Sequence, residues 1–481
     1  MQVSTINLSK VKETSKLFRF DAEYFQPKYL KTEVLIQKSK YSELRSLINI
    51  LTDYHANGSY EILRGNVELK SEHDYAHMIR TVDIERDDFE NDIICISEHA
   101  YNFLAKTKVY GGEIIINKIG NAGKVYLVPP IKRATSLGMN QFMIRTNENI
   151  NNYYLFCYLS GKYGQNQLSQ RITGAVPLSI DKESTKSVFV PLFSDDIQKL
   201  VAKTVTDHFQ YSGKSKELYK QVQTLLLSEL GLTHWQPKHQ LTFIKNYSNT
   251  QEAERIDAEY YQPKYDEIIK AIKNYSGGWD TLDNLVHLKD KNYTPKSDKK
   301  YKYIELSNIA GNGEITGCMS EFGNELPSRA RRIVTAGDII VSSVEGSLSS
   351  IALVGDEYDH ALCSTGFYVI NSNFFNPETL LVLMKSIAGQ MLLKKGCNGT
   401  ILTAINKDEF KNIVLPKIAE QKQLEIQKKV TESFSLRKQS KHLLESAKKA
   451  VEMAIEQDEQ TAILWLKKEM QNVGVSDADG L

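Results

Sequence analysis

Two periodicities of apolar residues alternate along this chain, and their order occurs twice. Runs rich in β-branched residues and bounded by glycine, proline or acidic positions predict strands over Ala76–Ile84, Glu113–Lys118, Val125–Val128, Gln141–Ile144 and Lys186–Pro191. A second set follows at Tyr303–Leu306, Asp338–Val341, Ser350–Val354 and Phe367–Ile370. Helical spacing predicts helices over Tyr29–Gln37, with Pro27 suited to the first turn, over Tyr153–Ser160 and over Pro377–Leu393. Two longer stretches carry a narrow stripe. In one, Ile197, Val201 and Val205, then Leu218, Val222, Leu225 and Leu226, recur every three or four residues. In the other, Ile426, Val430 and Phe434, then Leu444, Ala447, Val451 and Ile455, do the same. Neither contains proline, and helices of roughly 35–50 residues with so narrow a stripe indicate a coiled-coil seam. Two independent surface helices are the plainer alternative.

The doubled order is a duplication. Asp21-Ala22-Glu23-Tyr24-Phe25-Gln26-Pro27-Lys28-Tyr29 returns as Asp257-Ala258-Glu259-Tyr260-Tyr261-Gln262-Pro263-Lys264-Tyr265, identical at eight of nine positions and offset by 236. Gly112–Ile116 then matches Gly337–Val341, and Val188–Pro191 matches Ile413–Pro416, both offset by 225. The first copy therefore holds 11 more residues between motif and strand, an insertion expected in its loops. The expected class is α+β, with a first body over 18–193, a central long helix over 194–232, a second body over 254–418 and a C-terminal long helix over 419–470. The tail 474–481 is expected to be disordered.

Composition narrows the class. A chain of 481 residues suits two domains rather than one core. No apolar run approaches the ~18–20 residues of a membrane span, and no signal peptide is expected at the N-terminus. Five scattered cysteines (Cys95, Cys157, Cys318, Cys363, Cys397) without a Cys-x-x-Cys pair suit a reduced, cytoplasmic protein. The net charge of +1 is low for a chain gripping DNA unaided, so a nucleic-acid role needs local patches or basic partners.

Catalytic patterns are absent from the sequence. Gly120-Asn121-Ala122-Gly123-Lys124 resembles the end of a phosphate-binding loop, but Lys118 stands where that loop needs glycine and Val125 where it needs Ser or Thr. Ser342 and Ser343 lie at a strand end without a Gly-x-Ser-x-Gly elbow. His73 and His77 are four apart with no third ligand and are expected at the surface. The only Pro-Pro pair, Pro129-Pro130, lacks the context of an adenine methyltransferase motif. The loops are more informative. Lys118, Asn121 and Lys124 cluster on a loop of the first body whose match in the second is the loop Ser342–Ser349, with Ser342, Ser343 and Ser347. A second pair of segments is Gln170–Gly174, with Arg171 and Thr173, and Gly396–Thr400, with Asn398 and Thr400. Small polar and basic groups on glycine-containing loops can donate to phosphates or base edges. Solvated turns are the plain alternative.

The paired Asp-Ala-Glu-Tyr motifs, the strand Gly337-Asp338-Ile339-Ile340-Val341-Ser342 and the helix start Leu415-Pro416-Lys417-Ile418-Ala419-Glu420-Gln421-Lys422 resemble the specificity (S) subunit of type I restriction–modification systems. The first-half partner of that helix start, Val190–Ile197, is degenerate. The resemblance runs from about residue 18 to 470. It implies two target-recognition domains joined by two long antiparallel coiled-coil helices, reading an asymmetric bipartite sequence in double-stranded DNA. It implies no catalytic residue, metal or cofactor on this chain. Two modification subunits would bring S-adenosylmethionine, and restriction subunits ATP and magnesium. A helix pair of ~35 residues, roughly 50 Å long, would then set the unread spacer against DNA turns of ~34–36 Å. A specificity subunit of another methyltransferase-based defence system, a stand-alone nuclease and a coiled-coil adaptor are the alternatives.

Overall fold

The computed structural model describes residues 5–14, 19, 21–85, 89, 93–399 and 403–475. The chain divides into two compact units, Met1–Ser212 with Arg437–Leu481, and Gly213–Leu436.

Each unit contains one body, and the two bodies share a topology. In the first, a two-stranded sheet pairs β1 (Tyr41–Glu43) with β10 (Phe189–Pro191). A four-stranded antiparallel sheet has the order β2 (Ile48–Asp53), β9 (Gln141–Thr146), β6 (Ile114–Asn117), β7 (Val125–Leu127). Another has the order β4 (Cys95–Ile96), β3 (Ala76–Ile79), β8 (Thr135–Leu137), β5 (Lys108–Val109), with β3 and β8 parallel. In the second body, β11 (Trp279–Thr281) pairs with β22 (Val414–Pro416). The same two sheets recur as β12 (His287–Leu288), β19 (Phe367–Asn371), β16 (Ile339–Ser342), β17 (Ile351–Leu353), and as β14 (Met319–Phe322), β13 (Lys300–Ile304), β18 (Leu362–Ser364), β15 (Ala330–Ile333). Here β13 and β18 form the parallel pair.

The continuous Ile-Ile-Ile and Ile-Ile-Val runs follow from this layering, since a strand covered on both faces needs no polar alternation. Ile114 and Ile116 pack with Tyr154 and Tyr158 of the helix Asn152–Ser160, while Ile115 packs with Ile79 and Leu137 of the other sheet. Ile339 and Val341 likewise face the helical side, and Ile340 faces Ile304 and Cys363.

The extra residues of the first body lie between β2 and β3. Ile48 and His77 are 29 positions apart, whereas their counterparts in the second body, His287 and Tyr303, are 16 apart. That added segment forms a 3-10 turn, Tyr54–Asn57, and the helix Tyr60–Asn66.

Several expected elements are shorter than their sequence pattern. The run to Ile84 ends as a strand at Ile79, because the Asp83 carboxylate accepts from the Arg80 backbone amide (2.8 Å) and guanidinium (2.6 Å) and starts the helix Thr81–Glu85. Lys186 closes a helix started by Asp181, so the last strand begins at Phe189. Leu306 opens a 3-10 turn, Leu306–Asn308. The helix expected over Pro377–Leu393 is two helices, Pro377–Lys385 and Ile387–Gly396, broken at Ser386, whose hydroxyl caps Gly389 N. The first body breaks at the equivalent Gly161, between Asn152–Ser160 and Lys162–Arg171. At each corner a glycine is required by space: a Cβ on Gly164 would lie 2.2 Å from the Tyr158 carbonyl oxygen, and one on Gly389 2.2 Å from that of Leu383.

The central helix spans Asp195–Glu229. The C-terminal stretch is not one helix to residue 470. It runs from Glu420 to Glu456, then restarts as Glu459–Asn472, where Asp458 caps Thr461 N. The second helix packs Ala462, Leu466 and Met470 into the core that holds Val201 and Val451. In the first unit Ile197, Val201 and Val205 share that core with Leu443, Ala447 and Val451, and Ser440 Oγ donates to the His208 carbonyl at 2.9 Å. In the second unit Tyr219, Val222 and Leu226 share a core with Ile426 and Val430. There Ser433 Oγ donates to the Ser215 carbonyl at 2.7 Å, Lys429 to Gln221 Oε1 at 3.0 Å, and Lys422 pairs with Glu229 at 3.0 Å, an antiparallel order. Tyr219 and Leu443 are the buried residues at their turns, while the expected Leu218 and Leu444 are half-buried.

Candidate nucleic-acid interface

In the first body the turn between β6 and β7 meets the segment after the helix Lys162–Arg171. Ile180 N donates to the Lys118 carbonyl (3.0 Å), and Thr173 and Ser179 exchange backbone bonds at 2.8 Å each. Asn121 and Thr173 are exposed on the two loops so joined. Lys118 Nζ lies 3.2 Å from Asp53 Oδ2, and Lys182 Nζ lies 2.8 Å from Oδ1. Burial raises the Asp53 carboxyl, but the hydrogen bonds from Lys182 and Lys118 outweigh it and hold the group below its ordinary value. This leaves a carboxylate between two ammonium groups and a net positive cluster. Lys124 is half exposed and pairs with Glu85 at 2.6 Å. The loop leads into strand β7 rather than a helix, so its amides form a hairpin and not a phosphate cradle.

Arg171 leaves the candidate set. It is buried, with Nε on Ser187 Oγ (2.9 Å), Nη2 on the Ser187 carbonyl (3.0 Å) and Nη1 on the Gln167 carbonyl (2.9 Å). Its donors knit the helix end to the strand that follows.

The second body joins the equivalent loops. Ile405 N donates to the Ser343 carbonyl and Glu345 N to the Thr403 carbonyl, both at 2.9 Å. Asn398 is exposed on β20 (Cys397–Asn398), which pairs with β21 (Ala404–Ile405). Ser342 is fully buried, its hydroxyl 3.0 Å from that of Ser347, so it shapes the loop from inside. Ser343 Oγ donates to the Gly366 carbonyl at 3.0 Å. Ser343 and Ser347 are half-buried, and Thr400 lies outside the described residues.

Three anchoring groups escaped the sequence reading. Gln165 Nε2 donates to the Gly123 and Leu159 carbonyls (3.1 and 2.8 Å), and Gln390 Nε2 to those of Leu348 and Met384 (3.0 and 3.2 Å). Gln198 accepts from Asn151 N and donates to the Phe193 carbonyl (2.9 and 3.0 Å). Gln423 accepts from Asn376 N and donates to the Ile418 carbonyl (3.0 and 2.9 Å). Arg19 and Arg255 stand two residues before the first Asp of each repeated motif. Arg19 Nε binds Asp21 at 2.8 Å while its Nη atoms reach the Gln170 and Ile172 carbonyls at 3.3 Å. Arg255 binds Asp257 at 2.8 Å and the Cys397 carbonyl at 2.9 Å. The motif therefore fastens the chain ahead of each body to the base of a candidate loop. The signal was present, since each pair is the same residue at the same offset as its neighbours.

His73 and His77 part company: His73 is exposed, while His77 is buried 3.3 Å from Asp83, which corrects the expectation of two surface histidines. Among the described residues no group of three or more His, Cys, Asp or Glu could hold a metal ion, and no helix is long and apolar enough to cross a membrane.

No protein-family model and no curated protein matches the chain. Solved structures are similar to it at low identity. One is a type I restriction–modification system S subunit from M. genitalium, at 13% identity and a TM-score of 0.36, covering 89% of this chain and 95% of that one. Another is an HsdS subunit from Thermoanaerobacter tengcongensis, at 12% identity and a TM-score of 0.25, covering 91% and 97%. A third, at 13% and 0.26 and covering 89% and 97%, comes from work on complex assembly and conformational transition of the type I R-M system. At such TM-scores the likeness carries no functional argument, which rests on the residues above.

Proposed function

We propose that this chain is the DNA sequence-specificity subunit of a type I restriction–modification complex, itself without catalytic residues. Each body is a target-recognition domain for one half of an asymmetric bipartite site in double-stranded DNA. One observation carries the reading: the anchors repeat residue for residue in both bodies, while the loops they hold differ. Gln165 and Gln390 fix loops of Lys-Ile-Gly-Asn-Ala-Gly-Lys and Ser-Ser-Val-Glu-Gly-Ser-Leu-Ser, which present different donors and acceptors. A repeated frame with divergent tips is what two readers of two short sequences need. The contact candidates are the exposed Asn121, Lys124 and Thr173 with the half-buried Lys118 in the first body, and the exposed Asn398 with the half-buried Ser343 and Ser347 in the second. Modification subunits carrying S-adenosylmethionine, and restriction subunits using ATP and magnesium, supply the chemistry in the cytoplasm.

The test is co-expression with a modification subunit and mapping of methylated adenines. A two-part motif should appear with the pair and vanish without this chain. Methyl transfer or DNA cleavage by the isolated chain overturns the proposal.

A further inference from the structure

The second body carries a basic surface away from the paired loops. Between 289 and 302 stand six lysines and two aspartates, interleaved with Tyr293 and Tyr301. The segment linking β12 to β13 lies as a strap against one sheet. Tyr293 N donates to the Arg331 carbonyl on β15 (2.7 Å), Lys296 N to the Tyr301 hydroxyl on β13 (3.1 Å), and Gly323 N, beyond β14, to the Lys299 carbonyl (3.0 Å). Tyr293 and Tyr301 join hydroxyls at 2.9 Å and pack with Tyr303 and Leu362. The aromatic rings thus bury the strap's inner side, and its lysines turn outward.

Lys291, Lys296, Lys299, Lys300 and Arg329 are exposed and pair with no carboxylate among the described residues. Lys289 is taken by Asp338 at 2.8 Å. Beside the strap, Arg332 on β15 keeps Nε and Nη1 out of solvent with no acceptor. Exposed, uncompensated cations held against a sheet suit a polyanion of closely spaced charge. The equivalent segment of the first body differs. Its β2–β3 segment sets Arg64 and Lys70 against Glu61, Glu68, Glu72 and Asp74, and Lys70 is paired with Asp74 at 2.7 Å.

We propose that the strap Lys291–Lys300, with Arg329, binds the phosphate backbone of duplex DNA, so that the second body supplies most of this chain's sequence-independent grip. The inference rests on the DNA-reading function and adds to it the surface and the asymmetry between halves.

The experiment measures anisotropy of a labelled random duplex of about 30 base pairs with the full chain, from roughly 50 to 200 mM salt. Lys291→Ala/Lys296→Ala/Lys299→Ala is compared with Lys428→Ala/Lys438→Ala/Lys441→Ala, three exposed positions on the C-terminal long helix. Each lost phosphate contact removes about 0.9 from the slope of log affinity on log salt, so the strap variant should lose about two to three units and on the order of tenfold or more in affinity. The helix variant should keep the wild-type slope, and both should keep the wild-type melting temperature. Equal slopes for strap variant and wild type overturn the inference and leave the function standing. So does a strap variant that loses single-stranded RNA or an acidic protein but holds duplex normally. If neither the wild-type chain nor its complex with modification subunits binds any duplex, both proposals fall.

Discussion

Single side chains decide how the candidate loops are held. Each clamping glutamine spends both amide protons on carbonyls of two different elements, so Gln165→Ala or Gln390→Ala should loosen one loop without touching the other body. The expected cost is about 1 kcal/mol, since these sites are half-buried, read as a lower denaturation midpoint with faster amide exchange confined to the loop. Lys385 adds a pH effect. Its ammonium donates to the Ser349 carbonyl at 2.8 Å, and burial pushes it down to about 8. The unfolded chain holds that proton up to about 10.4, so between about 8 and 10 the unfolded state binds more protons and stability rises with pH. Burial also pushes Lys395 down to about 8, so denaturation of Lys385→Met should show that rise reduced rather than lost, and an unchanged profile would mean that Lys385 does not contribute to it. These groups were hard to read in sequence because their partners are distant or are backbone carbonyls. Arg171 shows the reverse: an arginine three residues before Gly174 reads as part of an exposed loop until Ser187, sixteen residues on, takes up its guanidinium.

At the scale of elements, the repeat was legible because two collinear matches at one offset require one topology, and the strand and long-helix positions followed from periodicity. Corners were not legible. Apolar spacing continues through Ser386 and through Gln457-Asp458, since both helices at each break bury residues in one core. What breaks them is capping, by Ser386 and by Asp458, and close approach at Gly164 and Gly389. Gly389→Ala should therefore destabilise the second body by about 1–3 kcal/mol, and Gly164→Ala the first, because the neighbouring backbone carbonyl cannot yield as a side chain does. Calorimetry of each variant should show one transition lowered and the other unmoved. A fully tolerated alanine would mean that the corner relaxes.

For the whole molecule, the division into two units makes reading separable. Lys124→Ala and Asn398→Ala, made singly with the modification subunits present, should each alter the methylated motif in one half only. A base contact should relax one position at about 1–3 kcal/mol, and a phosphate contact should lower affinity for all sequences. Methylation profiles in which both variants change the same half would refute the assignment.

The attachment of each body to its long helix has a genetic corollary. Gln198 and Gln423 grip Asn151 with Phe193, and Asn376 with Ile418, through the same donors and acceptors. Homologous recombination that exchanged one gene half for the other, with crossovers outside these four contacts, would leave every grip with a chemically matching partner. A new recognition specificity could arise from such a reshuffling in one event, with no compensating mutation needed at the joint.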